Sequence, residues 1–238
     1  MPEADKPVAA HGRQVMAWDL PTRLFHWTLV VLIPMAWVSR RYGDAGLVWH
    51  TWNGYAILVL VVWRLLWGFA GSSTSRFAAF AYWPWTAARY ALDFALRRPR
   101  PFLGHNPLGG LVVFVLLGLI GLQGALGLFS YDDHDSLAGG PLSARVADEV
   151  WGAATQWHIL LFDVMLAAIA LHVLANILYL VWKGENLPRA MITGRKPSKP
   201  FEDEAEARIV GGGRALLCLV AAAAIVFGGV LAGGGKLL

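Results

Sequence analysis

The sequence predicts an all-α integral membrane protein of five spans, the last a C-terminal transmembrane helix. Three observations carry this. Hydrophobic residues fill 57% of the 238 positions and charged residues only 15%, against about 25% in a typical soluble domain. The mean hydropathy is +0.50, and the apolar runs between charge clusters are long enough to cross about 30 Å of hydrocarbon. The basic residues also crowd into alternate connections, as in a chain that threads a bilayer.

Residues 1–15 form a polar tail without the apolar core or cleavage site of a signal peptide, so the first span is expected to act as its own insertion signal. Residues 24–38 form that span, extended into the interface by Trp18 and Leu20, and residues 48–69 form the second. In the next connection Arg89, Asp93 and Arg97 recur every four residues after Pro84-Trp85. Trp85, Ala88, Leu92, Ala95 and Leu96 cover other faces, which predicts a short helix lying in the membrane interface. Residues 108–129 form the third span, where Gly118, Gly121, Gly124 and Gly127 permit close approach of a helix or a flat ring. An acidic loop follows, with Asp132, Asp133, Asp135, Asp148 and Glu149 against Arg145. Residues 151–182 exceed one bilayer and are expected to tilt or protrude. Residues 201–208 read as a solvated charged linker, and the Ala- and Gly-rich run 214–231 forms the fifth span. The expected division is a tail (1–15), a membrane domain (16–196), a linker (197–213) and an added helix (214–238). Of the twelve tryptophans, Trp37, Trp49, Trp67 and Trp182 suit an aromatic belt, and no solenoid repeat occurs.

Fifteen of the twenty Lys and Arg residues lie in the tail and the second and fourth connections. Arg40, Arg41, Arg145 and Lys236 lie opposite, and Arg64 sits within a span. The positive-inside rule therefore expects a multi-pass membrane protein with a cytoplasmic N-terminus.

Cys218 is the one cysteine, which excludes an intrachain disulfide, a C-x-x-C-H haem attachment and a cysteine-held cluster. Seven histidines occur, and His26, His50, His158 and His172 sit in or at the spans, where ionisable side chains are costly and usually functional. His158 and His172 are 14 residues apart on one helix, hence on the same face and separated by about 21 Å along the axis. That suits two cofactors stacked across a membrane. The alternation of spans pairs His26 with His172 on the cytoplasmic side and His50 with His158 on the outer side. Bis-histidine iron has no open position and favours electron transfer. A lone histidine of this kind reads better as a cross-helix hydrogen bonder; four at two matched depths read as ligands. Zinc lacks third and fourth ligands near either pair.

Arg64 lies one turn from the cytoplasmic end of the second span, where it either snorkels to lipid phosphate or meets a cofactor carboxylate. Arg23 could serve the same site. His105, at the start of the third span, either caps that helix or touches a cofactor edge, with the structural role preferred. His11 and His134 are read as solvated.

The string Trp18-Asp19-Leu20-Pro21-Thr22-Arg23-Leu24-Phe25-His26-Trp27 resembles the opening motif of the bacterial cytochrome b-561 family, which includes the cytochrome b subunits of Ni,Fe-hydrogenases. The resemblance continues through His50 with Gly54, Arg64-Leu65-Leu66-Trp67-Gly68-Phe69, Arg76-Phe77 and Gly104-His105-Asn106-Pro107-Leu108-Gly109. It ends with the His158/His172 pair and Met191-Ile192-Thr193-Gly194, covering about residues 15–196. It implies a four-helix bundle binding two b-type haems, with His26, His50, His158 and His172 as iron ligands. It also implies electron exchange with ubiquinone or menaquinone and with a partner, either a periplasmic c-type cytochrome or a hydrogenase-like module.

The expected function is therefore that of a respiratory electron-transfer cytochrome, a quinone oxidoreductase or a subunit of one, embedded in lipid and with no nucleic-acid partner. The acidic outer loop favours a basic periplasmic protein over superoxide, an anion, although Arg40 and Arg41 offset it locally. A stand-alone superoxide:quinone oxidoreductase is the alternative. A haem-free carrier or structural subunit is the alternative from another class.

Overall fold

The computed structural model describes residues 12–96, 98, 100–132 and 138–237. His11, Arg97, Asp133, His134 and Asp135 lie outside the described residues. Five helices are long and apolar enough to cross a membrane: α1 (Leu20–Ser39), α2 (Gly43–Ala70), α4 (Pro107–Phe129), α5 (Asp148–Lys183) and α7 (Gly212–Ala232). Between them lie α3 (Pro84–Ala95) and α6 (Leu187–Thr193). Each expected span falls inside one of the long helices.

Local chemistry sets the helix ends. Asp19 caps α1 by accepting the Thr22 amide at 2.7 Å, ahead of a proline in the first turn. Asn106 caps α4 in the same manner, accepting from Gly109 at 2.8 Å. In α5, Asp148 and Glu149 occupy the first turn and Lys183 the last, opposing the helix dipole. Gly184 then ends the helix at φ +66°.

The long helices pack in the order α1, α2, α4, α5, with α7 on another face of α2. The mid-bundle core joins Leu29 of α1, Ile57 and Val61 of α2, Leu117 and Ile120 of α4, and Met165 of α5. The glycine stripe of α4 makes this row tight. A Cβ on Gly124 would sit 2.7 Å from Leu58, and one on Gly121 would sit 3.3 Å from Val61. Helix α7 buries Cys218, Ala222, Val226 and Val230, a ridge of i, i+4 positions, against Tyr55, Leu58, Trp63 and Trp67. The Trp63 indole also donates to the Ala215 carbonyl at 3.0 Å.

The end of the bundle that carries the start of α1 (the proximal end) is closed by an antiparallel ribbon. Strand β1 (Gln14–Met16) pairs with β4 (Arg195–Pro197), Val15 opposite Lys196. At the distal end β2 (Tyr131–Asp132) pairs with β3 (Ala138–Gly139). Gln14 and Val15, expected in a free tail, are thus part of the proximal closure. Helix α3 packs on α4 with Ala87 and Tyr90 buried, while Trp83 before it and its Trp85 and Leu92 are exposed.

Residues 201–208 keep most of the exposure that their charge suggested, Ala207 alone among them being buried, but they are tied to distant loops. Ser73 and Arg208 form a backbone bond at 3.1 Å, and the Ala207 amide donates to Met16 O at 2.9 Å. The Arg208 amide donates to the Ser73 hydroxyl and the Val210 amide to the Ser72 hydroxyl. The physical reason is that carboxylates, hydroxyls and open backbone groups of distant loops satisfy one another, a match that composition does not show.

Candidate haem sites

The histidines expected to act together are brought together in two pairs. At the distal level His50 of α2 and His158 of α5 have ring centres 6.1 Å apart and planes at 82°. Each ring leans on a neighbouring helix. His50 Nδ1 lies 2.8 Å from Ala36 O of α1, and His158 Nδ1 lies 3.0 Å from Gln123 O of α4. A carbonyl only accepts, so each Nδ1 carries the proton and each Nε2 keeps its lone pair. Gln123 returns a bond from its side-chain amide to His158 O at 2.9 Å. The glycine stripe explains the fit: a Cβ on Gly127 would stand 3.1 Å from the His158 ring.

At the proximal level His26 of α1 and His172 of α5 lie within electrostatic reach of each other. This pair is held more loosely. His26 Nδ1 is buried with no hydrogen-bond partner. His172 Nε2 meets the Asn176 amide at 3.3 Å, longer than a usual hydrogen bond.

Cationic groups gather around the proximal pair. Arg64 is 3% exposed, its guanidinium lies 5.0 Å from the centre of the Phe77 ring, and its Nη1 has no hydrogen-bond partner. Arg23 donates through Nη1 to Ile192 O, while its buried Nε is also unpartnered. Among the described residues neither arginine forms an ion pair, although Asp19 lies close enough to act on Arg64 electrostatically. An open cleft of about 330 Å³ beside Arg23 is lined by Leu20, Leu24, Trp27, Met191 and Ile192. Gly194, at φ +79°, shapes this corner, since a Cβ there would meet Trp18 O at 2.8 Å and the Arg23 side chain at 3.2 Å.

His105 does not cap α4; Asn106 does. The His105 ring packs against Trp18 and Phe80, both at 4.6 Å between ring centres, and its buried Nδ1 lacks a partner. Burial, then the charges of Arg64 and Lys196, hold His105 down to about 3, so it is neutral.

Two features escaped the sequence reading. Asp19 is buried and accepts from Thr22 N, Ser75 Oγ and Trp67 Nε1, so it ties the start of α1 to the end of α2. Its signal was an acid directly before Leu-Pro at a span boundary. Gln123 and Asn176 are isolated polar residues within apolar spans, and each meets a ligand candidate.

Both sites are pairs; among the described residues no three His, Cys, Asp or Glu side chains converge to hold a bare metal ion. Paired imidazoles on apolar helices, with guanidiniums beside one pair that form no ion pair among the described residues, fit an iron porphyrin, which would be held by two imidazole nitrogens and carries carboxylates on its edge. This architecture is that of a helical membrane protein with two histidine pairs between its helices. A family model for prokaryotic cytochrome b561 matches residues 17–194, and the chain belongs to that family. It is 26% identical over 125 residues to a probable Ni/Fe-hydrogenase B-type cytochrome subunit of Azotobacter vinelandii, covering 42% of this chain and 52% of that protein. The chain thus spans about half the length of that relative. No solved structure matches.

Proposed function

We propose that the chain binds two b-type haems, held by His26 with His172 and by His50 with His158, and relays electrons between membrane quinone and a redox partner. The observation that carries this reading is the distal pair. His50 and His158, with ring centres 6.1 Å apart, would hold one haem iron between them, since metal–imidazole bonds of about 2 Å from each ring fit within that separation. Their Nδ1–carbonyl bonds are the outer support that a ligating histidine needs. The porphyrin iron, when bound, supplies one-electron redox chemistry. The chain's own residues fix the imidazole tautomers, keep water away through the apolar core, and offer Arg23 and Arg64 to the haem carboxylates.

The proximal end is assigned to the cytoplasm on the strength of its basic residues, which places the distal end in the periplasm. There Asp148 and Glu149 favour a basic partner such as a c-type cytochrome. The likeness to a hydrogenase cytochrome subunit also points to a hydrogenase-like module. Re-oxidation of the reduced protein by a periplasmic cytochrome c should slow as salt rises. A rate indifferent to salt rules out charge-guided docking.

The test of the haem reading is the visible spectrum of the purified protein with haem quantified per chain. Two low-spin haems per chain are expected; a colourless protein, or a single haem, overturns the reading.

A further inference from the structure

The segment that follows β4 is bonded to three proximal loops: the one before α1, the one after α2 and the one before α4. Ala207 bonds to Met16, two residues before Trp18 and three before Asp19; Arg208 and Val210 bond to Ser73 and Ser72, at the end of the helix carrying Arg64. The third attachment is the most specific. The two carboxylate oxygens of Asp203 accept the successive amides of Leu103 and Gly104, each at 2.7 Å. The next residue is His105. Lys196, 8% exposed, holds the same loop from its other side through Phe102 O at 3.0 Å. Both residues lie beyond the stretch that matches the family.

Two charge-assisted bonds to adjacent amides fix a loop in position and orientation, as one bond cannot. The loop so fixed delivers a buried, neutral imidazole that lies within electrostatic reach of Arg64, His26 and His172. Leu103, between the two attachments, is fully buried among Val15, Ala17, Trp18, Ala190 and Ala207. A shift of the loop is therefore transmitted to the Trp18 face against which His105 packs.

We propose that Asp203 is a positioning residue for the proximal haem site, acting through the Leu103–Gly104 amides on His105 and so on the electrostatic field at that haem. The proposal rests on the dihaem reading, but its test is separate. Asp203→Asn removes one charge and weakens both bonds. Glu202→Gln, one residue away, removes the same charge from a side chain that, among the described residues, reaches only Arg100, at 3.5 Å. Hydrogen exchange at the Leu103 and Gly104 amides and redox titration of the two haems are the readouts.

In Asp203→Asn, exchange at both amides should accelerate at least tenfold. The proximal midpoint potential should move while the distal one stays. Glu202→Gln should leave both readouts at the parent values, and Asp203→Glu should recover part of the shift. Unchanged exchange overturns the clamp. Faster exchange with both potentials unmoved reduces Asp203 to a structural tie and overturns the proposal, as does an equal shift in Glu202→Gln. Should Asp203→Asn not fold, Asp203→Glu, which keeps the charge and alters the reach, must still shift the proximal haem alone. A parent protein without haem refutes the dihaem reading itself and leaves the exchange result standing.

Discussion

His158 and Gln123 bind each other in both directions: the imidazole Nδ1 reaches the Gln123 carbonyl at 3.0 Å, and the Gln123 side-chain amide reaches the His158 carbonyl at 2.9 Å. This exchange locks α4 to α5 at the level where His158 faces His50. It also sets which ring nitrogen is available for a metal.

The glycine one turn further along α4 is the tightest point of that arrangement. Gly127→Leu would drive a side chain into the His158 ring, because even a Cβ stands 3.1 Å away. The expected outcome is loss of the distal haem, one of two, with the proximal haem kept. Haem stoichiometry and the low-temperature α-band show this directly.

His172→Ala is expected to do the reverse, removing the proximal haem and sparing the distal one. Loss of neither haem, or of both with the fold intact, contradicts the pairing. Circular dichroism of the variant separates ligand loss from unfolding.

Arg64 is buried with one guanidinium nitrogen unanswered. A charge-assisted hydrogen bond contributes about 1.5–3 kcal/mol, so Arg64→Met should weaken retention of the proximal haem by about 10- to 100-fold. Its midpoint potential should fall, since a nearby positive charge favours the reduced form. Haem transfer to apomyoglobin and redox titration measure the two effects.

His105 supplies a pH dependence whose sign is fixed by its environment. Its folded value is lowered from 6.5 to about 3, so between those values the unfolded chain binds a proton that the folded chain does not. Stability from this group is complete above pH 6.5 and declines as pH falls towards 3, by up to ~1.4 kcal/mol per pH unit. Thermal midpoints in detergent should drop on acidification, and His105→Phe should flatten that slope. Lys196, pushed down to about 8 by burial, acts at the other end of the scale, adding stability as pH rises from about 8 to 10.5.

Much of the site was legible because membrane spans are written locally. A run of apolar residues has little alternative to a helix in hydrocarbon, and helical rise together with the alternation of spans sets four histidines in those runs at two levels. The two arginines beside the proximal pair were visible for the same reason. His105 was only half legible: its neighbour Asn106 takes the capping role, and the pocket formed by Trp18 and Phe80 comes from residues far apart in sequence.

The sequence by itself determined the membrane class, the five spans, the placement of His26, His50, His158 and His172 on those spans and the family motif, all properties of short windows read against a helical period. Tertiary structure alone decided that Ala36 and Gln123 supply the carbonyls that orient His50 and His158, that α7 seats on α2, and that residues 201–210 clamp the proximal loops. Those outcomes depend on hydrogen bonds between groups up to about 190 residues apart. Nothing in a local window says which distant donor a given acceptor will meet.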